Sequence, residues 1–133
     1  MRYMELGSSG IQVSKMGLGT WAIGGGPAWS GGPDEDRAIN TIVTAVESGV
    51  NMVDTAPGYN FGNSERIVGK ALARLDRSKV ILVTKCGVVW NRTGATWNKV
   101  GDRQLYKNLT PNRFVSRSRS RLSASAPTTL TST

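Results

Sequence analysis

The 133-residue chain has no histidine, one cysteine, and nine acidic residues against seventeen basic ones. Without an imidazole, histidine acid–base catalysis and most zinc chemistry are excluded within it, and no metal site is expected. The single thiol, Cys86, can close no internal disulfide and anchors no metal cluster; it is expected to be a buried structural thiol. No apolar run reaches membrane-spanning length, and Met1–Glu5 lacks the apolar core of a secretory signal. A cytoplasmic protein with no membrane partner is therefore expected. The length allows one small domain with a modest core.

The scarcity of acids gives a formal charge of +8, a balance that often marks nucleic-acid binding. Its distribution argues otherwise. Residues 112–133 carry Arg113, Arg117, Arg119 and Arg121 and no acid, leaving thirteen bases against nine acids, or +4, over residues 1–111. Half of the excess is tail, and a nucleic-acid partner is not expected. Six serines and four threonines share those 22 positions with no helical or strand period, the composition of a disordered segment.

Residues 1–111 read as α/β sequence. Tyr3–Leu6 and Ile11–Ser14 flank a Gly/Ser turn and predict a hairpin. Met16-Gly17-Leu18-Gly19 predicts a short strand, and Gly24–Gly32 a loop too flexible for regular structure. Pro33-Asp34-Glu35-Asp36 opens a helix, with acids at the positive end of its dipole. Ile39, Ile42, Val43 and Val46 continue it at one-face spacing, and Gly49 ends it. Val50–Asp54 predicts a second strand, and Ile67, Val68, Ala71, Leu72 and Leu75 a second helix. Val80–Thr84 is an apolar run typical of a strand buried on both faces. Strands alternating with helices over short links imply parallel βαβ units, the opening of either a doubly wound sheet or a (β/α)₈ barrel.

Chemistry concentrates at the predicted strand ends. Thr20 and Trp21 follow the first strand, Asp54 ends the second with Tyr59 in the loop beyond, and Lys85 ends the third. In a barrel all of them would face one mouth. A tyrosine of pKa about 10 parts reluctantly with its proton at neutral pH; a nearby ammonium stabilises the phenolate, and a carboxylate would hold that ammonium in place. Ser64-Glu65 reads as helix-start chemistry, and Trp29, Trp90 and Trp97 as loop packing. The glycines at 24–26 lack the spacing of a phosphate-binding fingerprint.

The block Asp54-Thr55-Ala56-Pro57-Gly58-Tyr59-Asn60-Phe61-Gly62-Asn63-Ser64-Glu65, with Gly19-Thr20-Trp21 before it and Thr84-Lys85-Cys86 after it, resembles the aldo-keto reductase family across residues 1–110. Within the family, the run Met16–Gly26 looks like bacterial reductases of small aldehydes such as methylglyoxal. The resemblance implies a (β/α)₈ TIM barrel, here its first three β/α units preceded by a hairpin. It implies a catalytic set of Asp54, Tyr59 and Lys85, with Tyr59 as general acid to the carbonyl oxygen and the other two as its tuners. It implies NADPH as hydride donor, Gly19, Thr20, Trp21 and Asp54 lining the cofactor and substrate mouth, and a small aldehyde or ketone as substrate.

A whole barrel takes roughly 250 residues, so the chain is expected to be a truncated one. The family's carbonyl-orienting histidine, expected after the fourth strand, and its adenosine phosphate site, near the last strands, are absent from it. The family continues after Leu109-Thr110-Pro111 with an acidic helix and a strand resembling G-T-D-Y-I-D-L-Y. Reading the tail's codons from their third base, the degenerate code permits that strand over Ser125–Thr133 and the helix opening E-S-I-R over Pro111–Val115. Both fit a one-base deletion near codon 111, so residues 112–133 are expected to be a frameshift-derived, non-homologous tail. The expected consequence is an inactive fragment. The alternatives are a pseudogene product without function, a non-catalytic fragment that pairs with another polypeptide, and a basic-tailed binding protein.

Overall fold

The computed structural model describes residues 1–90 and 94–109. The serine/arginine tail, the proposed reading-frame change and the region of the expected helix opening all lie outside those residues.

The hairpin forms as its Gly/Ser turn predicts: β1 (Tyr3–Glu5) pairs antiparallel with β2 (Gln12–Ser14), Met4 opposite Val13. It is tied to the next sheet by Asn51. The Asn51 amide nitrogen donates to the Gln12 carbonyl at 2.9 Å, and its side-chain oxygen accepts the Ser14 N–H at 2.7 Å. The Tyr3 hydroxyl adds a bond to the Gly49 carbonyl at 2.8 Å.

Three parallel strands follow, β3 (Leu18–Gly19), β4 (Met52–Asp54) and β5 (Ile81–Val83), in that order across the sheet. Gly19 lies opposite Asp54, and Asp54 opposite Val83, so the three strands end at one level. After β3 comes a single helical turn, α1 (Trp21–Gly24), and a 3₁₀ turn at Pro27–Trp29. The glycine-rich loop is thus more regular than its composition predicts: Gly24 closes α1, and Pro27 presets the φ that the 3₁₀ turn needs.

The two long helices match the apolar spacing. In α2 (Glu35–Glu47) the Asp34 carboxylate caps the start by accepting the Arg37 N–H at 2.9 Å, and Ala38, Ile39 and Ile42 are buried. In α3 (Asn63–Leu72) Ile67, Val68, Ala71 and Leu72 are buried. These side chains form one core with Ile23, Val53 and Val80. Each fully buried Val or Ile contributes about 1.5–3 kcal/mol relative to leaving it in water. On the surface, Glu35 pairs with both Arg66 and Lys70 of α3.

The third strand departs from its prediction. Ile81 and Leu82 are half-buried and Val83 is 37% exposed, because β5 is the edge of the parallel sheet among the described residues. Beyond it the chain does not enter a helix among the described residues. It forms an antiparallel sheet of β6 (Val88–Val89), β7 (Ala95–Val100) and β8 (Arg103–Lys107), ordered β6-β8-β7. Cys86, in the exposed link between β5 and β6, is free and exposed rather than buried. No helix among the described residues is long and apolar enough to cross a membrane.

Candidate active site

The level strand ends bring Asp54, Tyr59 and Lys85 together. The Lys85 ammonium donates to both Asp54 carboxylate oxygens at 2.8 Å, to the Tyr59 hydroxyl oxygen at 2.9 Å and to the Thr55 carbonyl at 3.1 Å. The Tyr59 hydroxyl lies 3.3 Å from Asp54 Oδ2 and can donate to it. Partial burial opposes the ammonium, but the hydrogen bonds to Asp54 and Tyr59, reinforced by the Asp54 charge, outweigh it and hold the Lys85 pKa above the ordinary lysine value. Lys85 therefore stays a cation across the neutral range. A fixed ammonium against a tyrosine hydroxyl is an arrangement for moving a proton at that oxygen.

Tyr59 is held by an unusual backbone. Asn60 and Phe61 have φ of 46° and 52°, left-handed values for residues with side chains, followed by Gly62 at 82°. Non-glycine residues enter this region at a cost, and such strain persists only where surrounding contacts impose it. Here Asn60 and Asn63 both donate side-chain N–H groups to the Gly24 carbonyl at 2.9 Å. The Phe61 ring lies edge-on to Trp90 and under the Arg103 guanidinium, 3.9 Å from its centroid.

Trp21 lies beside Tyr59. Half-exposed, it stacks on the Tyr59 ring at 6.0 Å and meets Trp29 edge-on. Gly19 ends β3 with open space where a side chain would stand. Thr20 is different: it is fully buried, and its hydroxyl donates to the Asp54 carbonyl at 2.8 Å, facing away from the mouth. Its side chain supports the site and does not line it.

A cleft of about 430 Å³ opens beside Tyr59 and Lys85. One wall comes from Trp21 and the Gly25–Ala28 turn, the other from Trp97, Val100 and Leu105 of the antiparallel sheet. Sequence alone missed that second wall, whose one mark is Gly101-Asp102, a dipeptide that suits a hairpin turn. The carbonyl role of Thr55 was also missed, because a backbone acceptor leaves no mark on residue type. Ser64 and Glu65 do stand in the first turn of α3, behind the capping Gly62, but the Ser64 hydroxyl is buried and bonds across the fold.

The sequence profile of the Aldo/keto reductase family matches residues 15–123. Over 111 residues the chain is 61% identical to the NADH-specific methylglyoxal reductase of Escherichia coli (strain K12), an alignment that covers 84% of this chain and 34% of that one. It is 42% identical over 116 residues to the aldo-keto reductase YhdN of Bacillus subtilis (strain 168), covering 86% and 31%. Among solved structures, the glycerol dehydrogenase from Gluconobacter oxydans superposes with a TM-score of 0.69 at 34% identity, covering 92% of this chain and 35% of that one. The chain spans about a third of the length of the relatives it matches.

Proposed function

The chain belongs to the aldo/keto reductase family, a family of (β/α)₈ oxidoreductases that use NAD(P)H, and from that premise we propose that Asp54, Tyr59 and Lys85 form the proton-donating group of an aldehyde- or ketone-reducing site. The observation that carries the proposal is the Lys85 ammonium shared between Asp54 and the Tyr59 hydroxyl.

A reduced nicotinamide bound at the mouth supplies hydride to the carbonyl carbon. Every other part falls to side chains of this chain. Tyr59 hydrogen-bonds the carbonyl oxygen and delivers its proton as negative charge develops there. Lys85 stabilises the phenolate left behind, and Asp54 fixes the ammonium. The flat Trp21 ring and the apolar walls of the cleft exclude water from the reacting carbonyl. The open face at Gly19, with Trp21 and Asp54 beside it, fits the flat nicotinamide end of the cofactor. Thr20, buried behind that end, contributes by holding the Asp54 carbonyl.

The substrate is proposed to be a small aldehyde such as methylglyoxal, after the relative of 61% identity. The sequence expectation of NADPH stands beside that relative's printed NADH specificity, and parallel assays with the two donors separate them. A cytoplasmic location is proposed with the rest. The 133-residue chain has no histidine to orient a carbonyl and is expected to turn over neither donor alone. The reaction is therefore measured in a chimera in which residues 1–109 replace the matching segment of the E. coli enzyme. The chimera is expected to reduce methylglyoxal, and Tyr59→Phe to lower kcat by about 10²-fold or more. Equal rates in the chimera and its Tyr59→Phe variant would overturn the assignment.

A further inference from the structure

Behind the site, fully shielded from solvent, three hydroxyls meet. Ser64 Oγ lies 2.6 Å from Thr20 Oγ1, 2.9 Å from Thr55 Oγ1 and 2.9 Å from the Thr20 carbonyl. Thr20, Thr55 and Ser64 are each no more than 1% exposed. Their protons can be assigned by counting acceptors. Thr20 donates to the Asp54 carbonyl, and Ser64 to the Thr20 oxygens, which leaves Ser64 Oγ to accept from Thr55. The chain of donation runs Thr55 to Ser64 to Thr20 to the Asp54 carbonyl, and no buried hydroxyl proton is left without an acceptor.

Each end of this chain touches the proton-transfer group through the backbone. The Asp54 carbonyl belongs to the residue whose carboxylate grips Lys85. Thr55 gives its side chain to Ser64 and its carbonyl to the Lys85 ammonium. Ser64 also reaches Tyr59, since its backbone N–H donates to the Tyr59 carbonyl at 3.3 Å. The next residue, Glu65, accepts the Thr84 hydroxyl at 2.9 Å, beside Lys85 at the end of β5. The first turn of α3 thus bonds to the ends of all three parallel strands. A side chain at Gly24 would stand 2.9 Å from the Ser64 β-carbon, so the α1 backbone closes directly over this point.

We propose that Ser64 is a positioning residue. Through the Thr55–Ser64–Thr20 hydroxyl chain it fixes the Asp54–Thr55 peptide and the Tyr59 loop relative to each other, and so sets where the Lys85 ammonium stands between them. The idea deepens the reading of Tyr59 and Lys85 as a proton-transfer pair and rests on it. Ser64 touches neither the cleft nor a reacting atom. Its effect is transmitted by a peptide and two carbonyls.

The test is the titration of Lys85 in the 133-residue chain, followed by NMR of lysine labelled at its ε-carbon and assigned with Lys85→Arg. In Ser64→Ala the Lys85 pKa is expected to fall by at least about half a unit, a roughly threefold change in its protonation constant. Thr55→Val should move it in the same direction, whereas Thr55→Ser, which keeps the hydroxyl, should restore the wild-type value. If Ser64→Ala does not fold, the Thr55 pair decides. Glu35→Gln, which loosens α2 from α3 far from the mouth, should leave Lys85 unchanged. A folded Ser64→Ala or Thr55→Val in which Lys85 titrates as in the wild type overturns the proposal, whatever happens to the melting temperature. An equal shift in Glu35→Gln overturns it too. Because the readout needs no turnover, equal rates in the chimera and its Tyr59→Phe variant would sink the functional reading without deciding this one.

Discussion

Residues 18–85 enclose a core of buried apolar side chains under two long helices, whereas the sheet built from residues 88–107 leaves most of its own only partly buried or exposed. Ile42 and Val53 in the first region are 0% exposed; in the second Trp97 is 49% exposed, and among its described residues only Val89 and Leu105 are buried hydrophobics. Both regions border the same cleft. The proposed proton-transfer group belongs wholly to the first, at strand ends fixed by parallel register and by the α3 first turn. The second supplies a wall. The division separates what must be held within fractions of an ångström from what only has to fit a substrate, so the wall can change without moving Lys85.

The contrast breaks if the two regions prove equally structural. Ile42→Ala is expected to cost about 2–5 kcal/mol by urea unfolding, the usual loss for emptying a buried isoleucine site. Trp97→Ala, in the exposed strand, is expected to stay within about 0.5 kcal/mol. Comparable losses would show that the antiparallel sheet is part of the folding core and not an attached wall.

The junction between the regions can be probed at Gly62. Its φ is +82°, and a side chain there would meet the Trp90 ring at 2.9 Å. Gly62→Ala should cost about 1–3 kcal/mol from backbone strain and the clash. A neutral result would mean that the wall yields freely where it meets α3. A smaller effect is expected from Arg103→Ala, which removes the cation over Phe61. At an exposed site such a contact is worth about 0.5–1 kcal/mol. In a double-mutant cycle Phe61→Leu should abolish it; an undiminished effect of Arg103→Ala in that background would assign the loss to something other than the ring.

The same division governs what could be read from the sequence. Both helices of the parallel region announced themselves through apolar residues at helical spacing, such as Ile39 with Ile42 and Ile67 with Ala71. Asp54, Tyr59 and Lys85 fell at strand ends, where barrel chemistry is carried, and the structure gathers them within hydrogen-bonding reach. Burial was harder to read. Cys86 and Val83 look like core residues by type, but their exposure depends on which strand is an edge, and that is a long-range fact. The antiparallel sheet was missed because β7, reading Ala-Thr-Trp-Asn-Lys-Val, has no clean alternation; it is exposed on almost every residue and so carries no periodic apolar signal. Thr20 and Ser64 were assigned by local rules, to the mouth and to helix-start chemistry, when partners of their hydroxyls lie 34 and 44 residues away.

The smallest effect expected lies on the helices of the parallel region. Glu35 is paired with Arg66 and Lys70, and their hydrogen bonds, with their charges in support, lower its pKa from 4.5 to about 2. A carboxylate depressed on folding contributes stability that is fully present above its unfolded pKa and is lost as pH falls through its folded one. The contribution should therefore be intact at pH 5 and above, decline between about 4.5 and 2, and be gone below that. Because the group lies at the surface, salt should screen it. Measured as the difference in melting temperature between wild type and Glu35→Gln, it should be constant from pH 5 to 7 and vanish near pH 2. Within the same acid range the Arg103–Phe61 contact, which involves no carboxylate, should keep its double-mutant coupling. Loss of both together would mean that acid loosens the two regions as one body, and a Glu35→Gln difference that persisted below pH 2 would remove the ion pair as its cause.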